Sequence, residues 1–228
     1  MKRSEINRIM QEADEFIRSR GFHLPPFAYW TPDEWREKGE EVRAIVDGRL
    51  GWDITDFGEG DFENLGLFLF TLRNGSLEDL ERGKGRVYAE KLLICEPAQI
   101  TPFHFHWNKT EDIINRAGGT LKVTMYNATE EEEMAETEVR VMMDGIEHAV
   151  PAGGTVELQP GESITLEPYR YHKFWVEGER TLLGEVSTVN DDEQDNRFYE
   201  PIGRFSEIEE DEPPLYLLVQ DYDQYYQA

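Results

Sequence analysis

From about residue 46 onward the chain is written in short β-rich runs separated by turn residues, and this pattern restricts its fold more than any other feature. The runs are 52–55, 67–72, 87–94, 99–106, 112–115, 120–126, 138–142, 155–158, 163–166, 172–176 and 181–187. Asp144-Gly145 predicts a hairpin, and Gly118-Gly119, Gly153-Gly154 and Pro160-Gly161 mark further tight turns. Many short strands with turns at such spacing make a sandwich or a barrel. No internal repeat is visible.

The first 45 residues read differently. Ile6, Ile9, Met10, Ala13, Phe16 and Ile17 recur at three- and four-residue steps, which predicts a helix over 4–20, with Ser4 as N-cap and Gly21 as the left-handed residue beyond its end. Thr31-Pro32-Asp33-Glu34 has the capping residue, first-turn proline and third-position glutamate of a second helix start. That helix carries Trp35 and is expected to end near Gly39. The apolar connector 22–30 should lie flat on the rest of the fold, with His23 packed inside it. The acidic runs 130–133 and 207–212 read as solvated loops. Tyr216, Tyr222, Tyr225 and Tyr226 should pack back on the body or on a partner subunit.

Charge excludes whole classes of partner. With 48 Asp plus Glu against 23 Lys plus Arg, the net charge of −25 repels phosphates, so neither nucleic acid nor an anionic membrane surface is an expected partner. The single cysteine, Cys95, excludes an internal disulfide and a Cys-rich zinc site. Its apolar setting suggests a buried thiol in a reducing compartment. No signal peptide or membrane-length apolar run is visible, and a cytoplasmic protein is expected.

Five histidines are present, and two stand in Phe103-His104-Phe105-His106. Alternate strand residues share a face, so His104 and His106 project together. A chain reversal through Trp107-Asn108-Lys109-Thr110 would bring Glu111 back beside them. Two imidazoles and a carboxylate suit a divalent Mn, Fe, Co, Ni or Zn ion. His172, at the start of a late apolar strand, is the obvious fourth ligand. His148 has no such company and should sit in an exposed hairpin.

At this point the chain resembles the cupin superfamily. His104-x-His106-x4-Glu111-x6-Gly118 matches the first cupin motif, except that Ala98 stands where the motif begins with glycine. In the looser second motif, Gly161 and His172 keep their separation, while Glu167, Tyr169 and Val176 replace its proline, second glycine and asparagine. Segments 25–31, 101–111, 167–175, 184–192 and 196–198 narrow the resemblance to the bacterial D-lyxose isomerase family, over nearly the whole chain. The resemblance implies a mainly β fold: one jelly-roll-like cupin domain spanning 1–228, with a helical segment at about 4–40 packed on a barrel at about 50–205. It implies one divalent metal per subunit, manganese first, held by His104, His106, Glu111 and His172 with positions left for water or substrate. It further implies interconversion of D-lyxose and D-xylulose, with D-mannose and D-fructose as secondary substrates, and a homodimer.

Aldose–ketose isomerisation moves hydrogen between C1 and C2, and this sets what the remaining residues must supply. Glu111 could act as base only if loosely coordinated. Glu185, a charge inside an alternating strand, faces either a wet cavity or the exterior, and in a cavity it is a candidate base. Lys109 could bind a sugar oxygen or stabilise an enediolate. Asp191, Asp192 and Asp195 could bind hydroxyls. Trp107, Phe174, Phe103 and Trp175 could line the sugar pocket. Competing readings are a phosphosugar isomerase using Arg170, Lys173 and Arg204, an iron cupin dioxygenase, and a noncatalytic sugar-binding cupin.

Overall fold

The computed structural model describes residues 1–227. The strands are β1 (Gly51–Thr55), β2 (Leu67–Arg73), β3 (Tyr88–Cys95), β4 (Thr101–Phe105), β5 (Glu111–Ala117), β6 (Thr120–Ala128), β7 (Met134–Ala135), β8 (Val139–Met143), β9 (Ile146–Val150), β10 (Thr155–Leu158), β11 (Ser163–Leu166), β12 (Arg170–Glu177), β13 (Thr181–Thr188) and β14 (Arg197–Phe198). Every expected run is a strand. β7, β9 and β14 were not among them, although Asp144-Gly145 signals β9: both residues have positive φ (48° and 82°) and join β8 to β9.

The strands form two curled antiparallel sheets, ordered β1-β2-β3-β13-β5-β11-β8-β9 and β10-β6-β12-β4-β14, with β7 beside β6. Between them lies one apolar core, to which Leu69, Leu93, Ile113, Ile164 and Leu183 contribute from the larger sheet, and Leu121, Val123, Phe174 and Val176 from the smaller. This is the jelly-roll-like, cupin-type architecture expected.

Strands β1 to β3 have a second buried face, which explains runs such as Leu67-Phe68-Leu69-Phe70 that do not alternate. Trp52, Ile54, Phe68, Phe70, Leu92 and Ile94 pack outward against the apolar stripe of α1 (Arg3–Ser19): Ile6, Ile9, Met10, Ala13 and Ile17. Met10 is fully buried there. Met10→Ala should cost about 2–5 kcal/mol, read as a lowered denaturant midpoint with an unchanged slope.

The ends of α1 show where local reading holds and where it does not. Gly21 (φ 78°) closes the helix as expected, with its N–H on Arg18 O and that of Phe22 on Ile17 O. Ser4 is not the N-cap. Lys2 holds that position without a side-chain bond, and the Ser4 N–H and Oγ both donate to Asp211, at 2.9 and 2.7 Å. The acids of the run 207–212 are exposed, as expected of a solvated loop, yet they tie down α1: Glu210, with Asp221 beyond the run, pairs with the buried Arg3, and Glu212 accepts from Asn7. A helix N-terminus with unpaired N–H groups and a buried guanidinium recruits those acids from the far end of the chain.

Thr31 and Glu34 form the expected capping box of α2 (Pro32–Arg36), which stops one turn short of Gly39. Short helices at Arg43–Asp47 and Leu77–Arg82 were not expected. Tyr216 packs on Trp52 and Tyr29, and Tyr222 on Trp35, so the C-terminal tyrosines do fold back on the body. His23 is exposed rather than packed, because its apolar neighbours Leu24 and Ala28 take the buried positions. His148 is exposed in its hairpin, and Cys95 is buried, its thiol pushed up to about 12 by desolvation.

The two glycine positions at which the chain departs from the cupin motifs keep a glycine-like backbone: Ala98 has φ 70° and Tyr169 φ 57°. Tyr169 compensates by stacking on Phe105 at 5.2 Å. Ala98 has no such ring, and a left-handed L-residue carries a penalty of roughly 1–2 kcal/mol. Ala98→Gly is therefore expected to be neutral or to raise the melting temperature slightly, the gain being reduced by the greater freedom of glycine in the unfolded chain.

Candidate active site

The site lies between the sheets, where β4 and β12 face the start of β5. His104 and His172 are directly opposed across the β4–β12 pair, with ring centroids 4.2 Å apart. His106, two residues past His104, keeps the same face, and the reversal at 107–110 returns Glu111 from the opposite sheet. The four ligand atoms lie within 4.8 Å of one another, and all four residues are buried.

The tautomers follow from the backbone. His104 Nδ1 bonds Pro102 O (2.9 Å), His172 Nδ1 bonds Arg170 O (2.9 Å) and His106 Nδ1 bonds Asp195 O (2.6 Å). A carbonyl only accepts, so each Nδ1 carries the proton and each Nε2 presents a lone pair. Glu111 Oε1 lies 3.1 Å from His172 Nε2 and 3.4 Å from His106 Nε2, so lone pairs face lone pairs. Both of these Nε2 atoms are buried without a hydrogen-bond partner. A divalent cation among them satisfies every one, and neutral imidazoles with a carboxylate are a suitable donor set.

Protonation favours the same state. Burial, then the adjoining His172 and His106, push His104 well below the ordinary imidazole range. Burial and the Lys109 cation lower His106 as well. Burial opposes ionisation of Glu111, but Lys109 beside it more than offsets this and holds the carboxyl well below its usual range.

Lys109 is buried, with Nζ 2.7 Å from Glu111 Oε2 and 3.1 Å from Glu185 Oε1. Desolvation works against its ammonium, yet Glu111 and Glu185 keep it above the usual lysine range. Glu185 projects from β13 on the same face as Leu183, into the cavity rather than to the exterior. It also lies 3.6 Å from Lys91 Nζ.

The remaining expected pocket residues divide. Phe174 and Asp192 line the cavity with His104, His106 and Glu111. Asp191 does not: its carboxylate accepts the N–H groups of Glu193 and Gln194, turning its own loop on another face. Trp107 also stays outside the cavity, its indole donating to Glu132 at 2.9 Å. Its position on β4's line explains this, since it shares the outer face of Phe105 and not the inner face of the histidines. Glu132, with Arg197 on its other oxygen, is the half-buried member of the run 130–133, whose other acids stay exposed as expected. Arg170 and Lys173 also point away, Arg170 to Arg140 O and Lys173 over Phe103.

Lys91, which lines the cavity, and Asn190 behind it were not anticipated. Asn190 Oδ1 accepts from Lys91 Nζ at 2.7 Å and from Lys109 Nζ at 3.3 Å, holding both ammoniums. Arg204 sits between Asp53 and Asp192. The sequence signal for Lys91 was available: a lysine inside the apolar strand Ala89–Cys95 has no reason to be there unless it meets an acid.

Comparison with known proteins shows the family of the chain. The family model described as D-lyxose isomerase matches residues 1–222. The chain belongs to the D-lyxose isomerase family. It is 50% identical over 226 residues to the D-lyxose/D-mannose isomerase of Serratia proteamaculans, covering 97% of this chain and 98% of that one. It is 45% identical over 228 residues to the protein of the same description from Escherichia coli O157:H7, covering 99% and 100%. This member of the family is thus a sugar isomerase. Among solved structures, the L-ribose isomerase of Cellulomonas parahominis with L-psicose superposes with a TM-score of 0.60 at 16% identity, over 92% of this chain and 98% of that one. At that identity it shows the shared fold.

Proposed function

We propose that this family member is a metal-dependent aldose–ketose isomerase that interconverts D-lyxose and D-xylulose and also D-mannose and D-fructose. His104, His106, Glu111 and His172 would hold one divalent ion, manganese first among Mn, Co, Ni, Fe and Zn. The observation that carries the reading is the buried meeting of bare imidazole Nε2 atoms and one carboxylate, with a second carboxylate, Glu185, in the same cavity. The reading takes the chain as one domain, homodimeric and cytoplasmic.

When bound, the metal would supply Lewis-acid polarisation of the sugar oxygens on C1 and C2. Glu185 takes the C2 proton. The electron pair of that C–H bond becomes the C1–C2 double bond of an enediolate, and the carbonyl π pair moves to O1. Glu185 then returns the proton to C1, while the O2 hydroxyl proton passes to O1, so atoms and electrons balance without an external oxidant. Lys109 keeps Glu111 ionised, pairs with Glu185 and offers its ammonium to the developing oxyanion. Phe174 shields one side of the cavity from water, and Asp192, oriented by Arg204, binds a sugar hydroxyl.

Charge pairing favours a free sugar over a phosphosugar. The cavity cations Lys91, Lys109 and Arg204 each already face a carboxylate, so a phosphate would have to displace one.

The test strips the protein of metal, restores Mn, Co, Ni, Fe or Zn singly, and follows D-lyxose and D-mannose beside a phosphosugar. Turnover of the free aldoses that returns with metal is expected; no turnover of any free aldose with any metal overturns the reading. With lyxose carrying deuterium at C2, wash-out of the label to solvent is expected for the Glu185 route. Complete transfer of the label to C1 would instead show a hydride shift.

A further inference from the structure

We propose that Asp195 is the positioning residue of the metal centre, holding both His106 and the turn that delivers Lys109 and Glu111. The inference rests on the metal-site reading above. It starts from a difference among the three imidazoles. His104 and His172 are oriented by carbonyls two residues earlier on their own strands, so strand formation alone sets them. His106 is oriented by a carbonyl 89 residues away, that of Asp195.

The side chain of the same residue holds the other end of the turn. Asp195 Oδ1 accepts the Asn108 N–H at 2.9 Å and Asn108 Nδ2 at 3.2 Å, and Oδ2 accepts the Lys109 N–H at 2.9 Å. Two consecutive backbone amides in a tight reversal point the same way and cannot be met by the strands that flank them. A buried carboxylate is the group that satisfies both at once. One residue therefore fixes the proton on His106 Nδ1 and the path from His106 to Glu111. Asp195 touches neither ligand oxygen nor cavity, so its part is orientation and not chemistry.

The measurement is Mn²⁺ affinity of the metal-free full chain by electron paramagnetic resonance, together with the tautomers of His104, His106 and His172 by ¹⁵N NMR of histidine-labelled protein. Asp195→Ala is expected to weaken Mn²⁺ roughly 10–100-fold. It should also blur the tautomer of His106 while leaving His104 and His172 as in the parent. Asp195→Asn keeps one acceptor oxygen and should fall between the two; it also serves if the alanine variant does not fold. Asp191→Ala, in the same loop, should leave affinity unchanged. Unaltered Mn²⁺ affinity in both Asp195 variants overturns the inference while leaving the metal site standing. Equal disturbance of all three histidines also overturns it, since that is loss of structure in general. Failure of the parent protein to bind Mn²⁺ overturns the metal-site reading itself, and this inference with it.

Discussion

His172→Ala is expected to lose bound metal and isomerase turnover together. His172 is one of four inward-facing donors and is directly opposed to His104, so its removal takes away one of the four protein donors and leaves Glu111 Oε1 without its nearest imidazole. The fold should survive, because β12 is held along its length by β6 and its neighbours Phe174 and Val176 remain in the core. Removing Lewis-acid polarisation removes several kcal/mol of transition-state stabilisation, on the order of 10³-fold or more in kcat. Metal content by elemental analysis, with kcat on D-lyxose, checks this. Full metal content with lost turnover would make His172 a catalytic group and not a ligand; unchanged metal and turnover would remove it from the site.

The second large effect separates chemistry from metal binding. Glu185→Gln keeps the shape of the side chain and touches none of the four ligands, so metal content should stay at the parent level. A group that carries the proton between C2 and C1 typically contributes about 10²–10⁴-fold, and kcat should fall by that amount with a much smaller change in KM. The amide can still accept a hydrogen bond from Lys109, which limits collateral disturbance of the cavity. Parent-level kcat would exclude Glu185 from proton transfer. Loss of metal along with activity would show that its charge serves mainly to balance Lys91 and Lys109.

The parts of the site legible in the sequence are those whose geometry is local. A period of two places His104 and His106 on one face, and a four-residue turn returns Glu111; neither needs knowledge of the rest of the chain. The same period placed Phe103, Phe105 and Trp107 on the opposite face, so Trp107's absence from the cavity was itself readable. Asp191 and Asp192 are a sharper case. Adjacent and chemically identical, one turns a loop and the other meets Arg204 in the cavity, a choice made by which strand end the loop crosses. Likewise Ser4 carries the cap-forming chemistry that local rules expect, yet Asp211, 207 residues away, takes its N–H and its hydroxyl.

By itself, then, the sequence determined eleven of the strands, the helix beneath them and the meeting of His104, His106 and Glu111, because strand alternation, helical periodicity and turn chemistry act over a few residues. Tertiary structure alone decided which acids serve the site. Glu185 became a cavity carboxylate because β13 lies between β3 and β5 with that face inward. Asp195 became a brace because the β13–β14 connection passes the turn at 107–110. The physical reason is one of range: a carboxylate's role depends on the cation or N–H it meets, and here Lys109 Nζ and the turn amides lie 76 to 87 residues away along the chain, at distances no local periodicity encodes.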